Sequence, residues 1–587
     1  MNQPSINSLG ESGFFLQRFL EALAAGRWYA VLPVFGVFAT LYLTTWVDNV
    51  GDTDDVYFFS YWVENFAMTF VGDPRLMAYK SLMQALYHGF AGIGIPIGGL
   101  ELLRGFSALC GGLVVVVFYR LLACDLKVHV YAAATGALLL ASSYGFWRYA
   151  IEAEVYVPAI LLLLIALRWF YRLDEKDAFT PLQVLPLGVF CGLAVLFYQP
   201  NAIPLGFAFT LLMLRQGRCC GLMVYALVGA AVVLGGYYLG FRIFQTHPQG
   251  MESFLAYVQS RSEEFRLWEF NLQNAQYAAL GSLAIITHDL VSANWLFAHQ
   301  WLGQAVHELF AYNWLIEKRY AAEYAGWLAY LPLFVLPVLL LLVGRIVWRA
   351  FPFGFAALRS PRVVLLLVWL LVNGLVVWRL NPHGPEAWIM LLPPLLIVLT
   401  LLFVEPAVQR GVRHALLAML LLLAAHNAFS GIAIIHDRLS EYAVAKMQWI
   451  LDNAGPNDAV LIVDDNPLFM TMNYRSNATI LPLVLEATPI ISEGLLTGHW
   501  RVRLGSELSR DLRVVMLDEH FAATLARGHR IIFTSDFFEG SRRRDISGLS
   551  ESDRQWLERL RSQLTVVWSD EQLGTVYVLD KPLSPRF

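Results

Sequence analysis

The chain has 587 residues, of which 57% are hydrophobic and only 15% are charged, and its formal net charge is −4. Soluble domains are about a quarter charged, whereas apolar runs recur here that match the about 20 residues of a membrane-spanning helix. This composition excludes a soluble globular protein, and the continuity of the runs excludes a β-barrel, whose spans are short and alternating. No basic run indicates a nucleic-acid partner. We expect an α-helical polytopic membrane protein.

The N-terminal part predicts an uncleaved first span. Residues 1–27 contain an amphipathic stretch, FFLQRFLEALAAG, with no small-residue cleavage pattern after it. We interpret 1–27 as a cytoplasmic amphipathic N-terminus and the run 28–46 as the first span, with tryptophans at both ends suited to the two membrane interfaces.

A hydrophilic loop at 47–80 follows, and it begins with four aspartates in the stretch DNVGDTDDVYFFSYWVENF. Such acids could be solvated or could mark topology. These acids, however, lie beside the membrane end of the first span, and the aromatic run after them is too apolar for a free loop. If that run is a helix along the interface, Tyr57, Tyr61 and Glu64 share a stripe. Asp54 and Asp55 then lie at the N-terminal end, where carboxylates are favoured.

Further apolar runs predict the remaining spans, about eleven in total. Residues 81–100, rich in glycine and proline, predict an interfacial or re-entrant segment rather than a regular span. The stretch 243–325 predicts a long functional loop. The ten spans after the first are predicted near 102–122, 130–146, 150–170, 182–199, 202–215, 221–242, 327–348, 362–379, 387–404 and 414–435.

Lysine and arginine are concentrated in alternate connections, which by the positive-inside rule predicts a cytoplasmic N-terminus. The aspartate loop and the hydrophilic tail then face outward. We divide the chain into a transmembrane domain at 28–435 and an extracytoplasmic domain at 436–587. In the tail, short apolar runs such as AVLIVDD and HRIIFTSD alternate with helical patterns such as SESDRQWLERLRSQL. This alternation predicts a small α/β domain, in which no phosphate loop, catalytic triad or metal set is visible.

The five cysteines lie in the apolar runs or at their ends and are Cys110, Cys124, Cys191, Cys219 and Cys220. None falls in the tail, which excludes a disulfide-stapled outer domain, and no C-x-x-C pair indicates a metal site.

A second polar segment, YGFWRYAIEAEVYVPAILLLL at 144–164, opens the predicted fourth span on the outward side. Carboxylates this close to hydrocarbon are costly and are usually paired or functional. An i,i+4 pair with Arg148 accounts for Glu152. Glu154 lies on another face, and we weigh its pointing into a site equally with a structural role.

A third polar segment is WRLNPHGPEAWIMLLPPLL at 378–396, with Arg379, His383 and Glu386. It is either a tight turn between spans or a phosphate site, because arginine can hold a phosphate with two hydrogen bonds. Gln199 lies in another outward turn, where a proline-set turn is the simpler interpretation.

Three further basic residues, Lys80, Arg104 and Arg242, lie near the outer interface and could be snorkelling anchors. The outward polar groups as a set predict an outward cavity. They disfavour a transport pathway, which needs polar elements at the midplane.

The stretch GDTDDVYFFSYWVENF resembles the first outer loop of GT-C membrane glycosyltransferases, where an acidic residue followed by an aromatic is the catalytic carboxylate. YGFWRYAIEAEVYVPAILLLLIALR is similar to the protein O-mannosyltransferase-like branch, as are ELLRGFSALCGGLVVVVFYRLL and HGPEAWIMLLPPLL. The resemblance covers roughly 28–435. It departs at LMAYKSLMQALYHGF, where relatives often carry a His-Pro pair and this chain has only a displaced His88; this departure affects the details of acceptor and donor recognition that the resemblance implies.

The resemblance implies an inverting transfer of a sugar from a polyprenyl-phosphate donor to a hydroxyl of a protein, lipid or glycan acceptor. A carboxylate would deprotonate the acceptor, and cations would stabilise the leaving phosphate. Asp54 is the implied base, with Asp55 and Asp52 as alternatives. Family members differ in metal use, so no cofactor is required and a divalent metal is optional. The expected lack of a cleaved signal peptide and the lack of cysteines in the tail fit a bacterial inner membrane.

The implied binding residues follow from the same resemblance. Glu154 would orient substrate or assist a metal, and Arg379 would hold the phosphate, with Lys80 and Arg148 in reserve. Four further residues complete the predicted set: Tyr57, His383, Glu386 and Gln199. The alternatives are a non-enzymatic transporter or scaffold that presents the tail domain, and a lipid-linked polymerase or ligase.

Overall fold

The computed structural model describes most of residues 11–46, 76–175, 180–244, 285–299, 327–354, 361–380, 385–433, 444–463, 476–484, 502–503, 521–539, 551–570 and 574–581, and a few isolated positions between them. The chain forms two compact units. One comprises 1–47 and 70–436, and the other comprises 48–69 and 437–587.

The first unit is helical throughout its described part. Its helices are α1 (Glu11–Ala24), α2 (Trp28–Thr44), α3 (Met77–Gly92), α4 (Gly99–Arg120), α5 (Val130–Ser142), α6 (Tyr144–Ile151), α7 (Tyr156–Asp174), α8 (Leu185–Phe197), α9 (Cys219–Phe244), α10 (Leu331–Gly354), α11 (Pro361–Leu380), α12 (Pro385–Trp388), α13 (Leu392–Leu399), α14 (Glu405–Gln409) and α15 (Arg413–Asn427). Wider π-helical turns interrupt or extend them at Leu121–Asp125, Ile285–Leu290, Thr400–Val404 and Ala428–Ile432.

Six helices of the described part are long and apolar enough to cross a membrane: Gly99–Asp125, Tyr156–Asp174, Cys219–Arg242, Leu331–Phe351, Ile389–Gln409 and Arg413–Ile432. The pair α1 and α2 also qualifies, with a bend of 93° between its halves, and three shorter apolar helices accompany these. The helices Cys219–Arg242 and Leu331–Phe351 bury little of their apolar surface within the chain, as expected of lipid-facing helices. The predicted polytopic helical class is confirmed.

Individual element boundaries differ from the sequence-based ones at two places. The predicted fourth span at 150–170 begins later, at Tyr156, because the chain is extended at Glu152 and the helix restarts only after Val155. The predicted interfacial segment at 81–100 is a regular helix up to Gly92, and the glycine- and proline-rich part comes after it. Most of the predicted span at 202–215 and of the predicted loop helix at 54–66 lies outside the described residues.

Small residues let α2, α4 and α6 approach closely. A side chain at Gly112 would lie 3.0 Å from the Phe35 carbonyl oxygen, and one at Gly111 would lie 2.9 Å from the Tyr42 ring and 3.0 Å from Ala150. Helices in membranes associate through such close packing, because lipid provides no hydrophobic driving force between them. Short helix α6 is thereby buried on α4.

The second unit contains a six-stranded mixed sheet, confirming the α/β prediction for the tail. Its strands, in the spatial order β3-β2-β1-β4-β6-β5, are β1 (Ala459–Val463), β2 (Thr479–Val484), β3 (Val502–Arg503), β4 (Ile531–Thr534), β5 (Thr565–Asp570) and β6 (Gly574–Leu579). The first four strands pair in parallel, and β6 pairs antiparallel with β4 and β5. The described helices of this unit are α16 (Val444–Asn453), α17 (Asp536–Glu539) and α18 (Glu551–Arg561).

Central strand β4 is buried on both faces, which explains its unbroken apolar run. Ile531 and Phe533 pack in one core cluster with Trp556 and Leu560 of α18. Ile532 packs in the other cluster with Ile450 of α16. The alternation of side chains along a strand thus supplies both layers of the core.

The ion pair of Asp458 and Arg530 links the N-terminal ends of the neighbouring strands β1 and β4. Asp458 precedes β1, is only 5% exposed, and accepts hydrogen bonds from the Arg530 backbone nitrogen (2.8 Å), Arg530 Nη2 (2.7 Å) and the Gly455 nitrogen (2.8 Å). Burial alone would raise the pKa of Asp458, but these hydrogen bonds and the guanidinium charge outweigh it and hold the pKa below its usual value. The ionised carboxylate therefore stabilises the sheet.

We expect Asp458→Asn to lower the free energy of unfolding of this unit by about 1–3 kcal/mol at neutral pH, since a hydrogen-bonded charge is lost. The folded pKa is depressed, so this stabilisation is present above the unfolded pKa of about 3.9 and is lost as the pH falls through the folded pKa. Hydrogen exchange of β1 and β4 in the full-length protein at pH 7, and unfolding between pH 7 and pH 3, measure both effects. Asp452→Asn, on an exposed side chain, is the matched control and should have little effect.

Candidate functional site

Two breaks in the helical backbone isolate α6 between α5 and α7. Ser143 is extended (φ −66°, ψ 139°) and ends α5, and Glu152 is extended (φ −98°, ψ 161°) and ends α6. All eight residues of α6 are buried. Helix ends leave backbone groups without intrahelical partners, so a buried short helix requires polar groups around it.

Four buried polar side chains, at α6 and beside it, are linked in a row by hydrogen bonds and are called the Arg148 cluster: Arg148, Glu152, His288 and Asp289. Arg148 Nε donates to Glu152 Oε1 over 2.9 Å, and Arg148 Nη1 lies 2.9 Å from His288 Nε2. His288 Nδ1 lies 3.3 Å from Asp289 Oδ1. Arginine can only donate, so Nε2 accepts and the imidazole is neutral, with its proton on Nδ1 directed at Asp289. The cluster holds one fixed cation and two carboxylates.

Aromatic rings surround this chain. The His288 ring makes edge contacts with Tyr144 (5.6 Å between centroids) and lies 6.3 Å from Tyr149, whose ring also lies 5.6 Å from the Arg148 guanidinium carbon. Tyr149 contacts Tyr156 at 5.1 Å, and Tyr156 contacts Tyr198 at 5.4 Å. Rings packed around a buried ion pair exclude water, which strengthens the electrostatic interactions inside.

The lack of a side chain at Gly145 allows the π-helical turn Ile285–Leu290 to pack closely against α6. A Cβ atom at Gly145 would lie 2.5 Å from Asp289 Oδ1 and 2.7 Å from Asp289 Cα. Backbone at that distance cannot move aside cheaply, so only glycine permits the approach. The absence of a side chain at position 145 therefore makes the contact between His288 and Arg148 possible.

Asn427 fixes the far end of the same turn. Its Nδ2 donates to the Ser142 oxygen (2.8 Å) and the Leu290 oxygen (2.9 Å), and its Oδ1 accepts from the Ser292 nitrogen (3.0 Å). The neighbouring His426 Nε2 donates to the Ser292 oxygen over 2.9 Å. One buried amide thus satisfies backbone groups from α5 and from the turn, and holds both against α15.

Glu154 lies two residues beyond the cluster, in the break between α6 and α7, and is 1% exposed. Its carbonyl oxygen accepts hydrogen bonds from Ser107 Oγ (2.9 Å) and Tyr79 Oη (3.4 Å), which tie the break to α4 and α3. Lys80 adjoins Tyr79, and Arg104 is one helical turn before Ser107. Both cations are 5% exposed. The helices bonded to the break at position 154, α3 and α4, therefore each carry a buried cation.

No protein-family model and no curated protein matches the chain. The crystal structure of ArnT from Cupriavidus metallidurans bound to undecaprenyl phosphate is similar, with a TM-score of 0.53 and 11% sequence identity over 98% of this chain and 100% of that one. The chain has an ArnT-like fold. The ArnT apo structure gives a TM-score of 0.49 at 11% identity (96% and 100% covered). The Archaeoglobus fulgidus oligosaccharyltransferase in complex with zinc and sulfate gives 0.43 at 14% identity (93% and 72% covered).

Four of the sequence-predicted site residues with described side chains lie in the first unit: Lys80, Arg148, Glu154 and Gln199. The predicted i,i+4 pair of Arg148 and Glu152 is confirmed. Burial shows that Lys80 and Arg104 are enclosed by the chain, which contradicts a snorkelling role, whereas Arg242 is exposed. Gln199 is half-buried, and its Oε1 makes no hydrogen bond within the described part of the chain.

The side chains of the other predicted site residues lie outside the described part of the chain. Asp52, Asp54, Asp55, Tyr57 and His383 lie outside the described residues, and Arg379 and Glu386 are described only as backbone positions in α11 and α12. Among the described residues, no group of three or more His, Cys, Asp or Glu side chains is arranged to hold a metal ion.

Sequence reasoning missed His288, Asp289 and Asn427. The signal for the first two was an adjacent His-Asp pair inside a weakly apolar stretch, THDLVSANW, of the long loop. The signal for the third was a His-Asn pair within the last apolar run, where polar residues are usually buried against partners. Neither pattern identifies the partner, because the contacts join residues more than 100 positions apart.

We expect Gly145→Ala to lower the midpoint of thermal unfolding, because the added Cβ overlaps Asp289 and overpacking costs about 1–3 kcal/mol. Differential scanning fluorimetry of the purified protein in detergent measures the shift. Gly105→Ala is the matched control, since a Cβ there meets no atom within 4 Å of the described structure and alanine favours helix. Equal midpoints for the two variants would contradict the close approach at Gly145.

Proposed function

We propose that this chain is a membrane glycosyltransferase that moves a sugar from a polyprenyl-phosphate donor to an acceptor hydroxyl. The observation that carries this proposal is the likeness to ArnT over the full length of both chains. That structure of ArnT contains undecaprenyl phosphate, which is the lipid-phosphate chemistry that the sequence resemblance implies for this chain. The buried charges around the α6–α7 break are a second support, because such charges in an apolar bundle are usually functional.

The proposed reaction is an inverting displacement. The acceptor oxygen attacks the anomeric carbon, the bond from that carbon to the phosphate oxygen breaks, and the lipid phosphate leaves as an anion. A carboxylate takes the acceptor proton, and cations stabilise the phosphate, so no acid is needed on the leaving side. Asp54 is the proposed base, with Asp52 and Asp55 as alternatives from the same loop. This assignment rests on the sequence pattern.

The two buried cations Arg148 and Lys80 differ in how well they could bind the phosphate of the donor. Arg148 is engaged on two sides, by Glu152 and His288, so we assign it to holding the cluster together. Lys80 belongs to the helix whose Tyr79 reaches the Glu154 carbonyl, and we propose it as a phosphate ligand beside Arg379. Glu154 would orient substrate or assist a divalent metal, although the proposal requires no metal.

The sequence also supports proposals for the membrane, the side of the membrane and the acceptor. The reaction would take place on the outer face of a bacterial inner membrane, with the N-terminus in the cytoplasm and the tail domain outside. The acceptor would be a protein, a lipid or a glycan. Mass spectrometry of glycoproteins and glycolipids from cells with and without the protein would identify the sugar and the acceptor.

We expect Asp54→Asn to reduce sugar transfer from polyprenyl-phosphate donors about 10²–10⁴-fold in isolated membranes, the usual contribution of a general base. Asp48→Asn, in the same loop but beside the first span, is the matched control and should retain near-normal activity. The transfer of labelled sugar at equal protein levels is the measurement. Near-normal activity of Asp52→Asn, Asp54→Asn and Asp55→Asn alike would reject the assigned site.

Glu154 and Glu152 should behave differently. The hydrogen bonds from Tyr79 and Ser107 go to the backbone carbonyl of Glu154 and are kept in Glu154→Gln, which we expect to change the unfolding midpoint less than Glu152→Gln does and to reduce sugar transfer at least about tenfold. Glu152→Gln removes the charge that pairs with buried Arg148 and should lower the unfolding midpoint. Fluorimetry and the transfer assay on both variants test the contrast. A fall in midpoint for Glu154→Gln with full activity would contradict a substrate role.

A further inference from the structure

A group of arginines lies at the other end of α4 from the candidate site. Arg120 ends α4, sixteen residues after Arg104, which is about 24 Å along a helix rising 1.5 Å per residue. Arg168 and Arg172 lie near the end of α7. Arg168 and Arg172 both pair with Asp125, at the end of the π-helical turn that follows α4, and Arg120 lies within electrostatic range of it. We call Arg120, Asp125, Arg168 and Arg172 the Asp125 cluster.

The single carboxylate of this cluster is already engaged. Asp125 is 4% exposed, and its Oδ2 lies 2.5 Å from Arg168 Nε while its Oδ1 lies 3.4 Å from Arg172 Nε. Arg168 is buried as well, and its Nη2 makes no hydrogen bond within the described part of the chain. Arg172 is about half exposed, so one edge of the cluster is open.

Arg120 adds a third cation without adding a carboxylate. Its Nε donates to the carbonyl oxygen of Ala24, the last residue of α1, over 3.3 Å. It lies close enough to Arg168 and Arg172 for their charges to repel. Within the described residues, Asp125 is the only carboxylate paired with these arginines, so the cluster carries about two uncompensated positive charges. Such an excess in a partly buried position favours an anion.

The neighbouring α1 indicates where that anion comes from. α1 is bent by 93° from the apolar helix α2, so it runs across the end of that helix rather than along it. Phe15 and Leu16 on its outer side are exposed, whereas Leu20 and Leu23 face the bundle. A helix with this geometry lies in the interfacial plane of a membrane, beside the lipid headgroups.

The bundle holds α1 in that position through its C-terminal carbonyl groups. Tyr119 Oη donates to the Leu20 oxygen over 2.7 Å, and Cys124 Sγ and Arg120 Nε both contact the Ala24 oxygen. Gly26, in the left-handed region at φ +72°, lets the Arg120 guanidinium lie directly against the chain after α1. Arg120 is therefore fixed against the C-terminal end of α1.

We propose that Arg120, Arg168 and Arg172 form a binding site for the phosphate of an anionic phospholipid, distinct from the candidate sugar-transfer site. Guanidinium groups bind phosphate oxygens in pairs of parallel hydrogen bonds. The bound phosphate neutralises the excess charge around Asp125 and ties α1 to α4 and α7. This proposal does not depend on the chemistry at the α6–α7 break.

The test compares lipids on the purified full-length protein in detergent. Phosphatidylglycerol should raise the unfolding midpoint more than phosphatidylcholine does, and native mass spectrometry should show one retained phosphatidylglycerol. Arg172→Gln, on the half-exposed member, should weaken that binding about tenfold, a change of about 1.4 kcal/mol. Arg349→Gln, on an exposed arginine of α10, is the control and should leave binding unchanged.

Three outcomes would overturn the proposal. The first is equal stabilisation by phosphatidylglycerol and phosphatidylcholine. The second is equal phosphatidylglycerol retention by the Arg172→Gln and Arg349→Gln proteins. The third is stabilisation by inorganic phosphate alone that matches the effect of phosphatidylglycerol, which would assign the site to the free ion instead of a lipid headgroup.

Discussion

A charge buried among apolar helices must be paired, because an uncompensated one costs several kcal/mol, and much of the first unit follows from this requirement at Arg148. Glu152 satisfies one side of the guanidinium, and His288 satisfies another. Since His288 belongs to a distant segment, the pairing joins the α6–α7 break to the turn Ile285–Leu290. Gly145 provides the space for that turn, and Asn427 anchors its end. Buried hydrogen bonds between distant segments thus hold the α6–α7 break, next to the proposed sugar-transfer site, in place.

The two ends of the same bundle differ in charge balance. The α6–α7 break and the elements in contact with it carry three buried cations, Arg148, Lys80 and Arg104, and three buried carboxylates, Glu152, Glu154 and Asp289. In the Asp125 cluster, two guanidinium groups pair with one carboxylate, and Arg120 adds a third positive charge nearby. Balanced charges suit a site that must bind and release an anionic leaving group, since a strong excess would retain it. An unbalanced cluster suits a ligand that stays bound. The fold therefore separates a proposed reactive end from a proposed anchoring end along α4.

Local patterns in the sequence were sufficient for the architecture. Unbroken apolar runs predicted the polytopic helical class, and runs such as AVLIV and IIFT predicted strands of the tail sheet, because a strand buried on both faces needs apolar residues at every position. The pair of Arg148 and Glu152 was predictable as well, since four residues is the spacing of neighbours on a helix. These features depend only on residues close together along the chain.

The sequence by itself thus determined the membrane class, the strand-and-helix tail and the i,i+4 ion pair. Only the tertiary structure decided that His288 completes the Arg148 cluster, that Lys80 and Arg104 are buried rather than snorkelling, and that Arg168 and Arg172 share the carboxylate of Asp125. The physical reason is that these contacts join segments far apart in sequence. The local sequence shows whether a residue is polar, but the packing of the helices determines which partner it contacts.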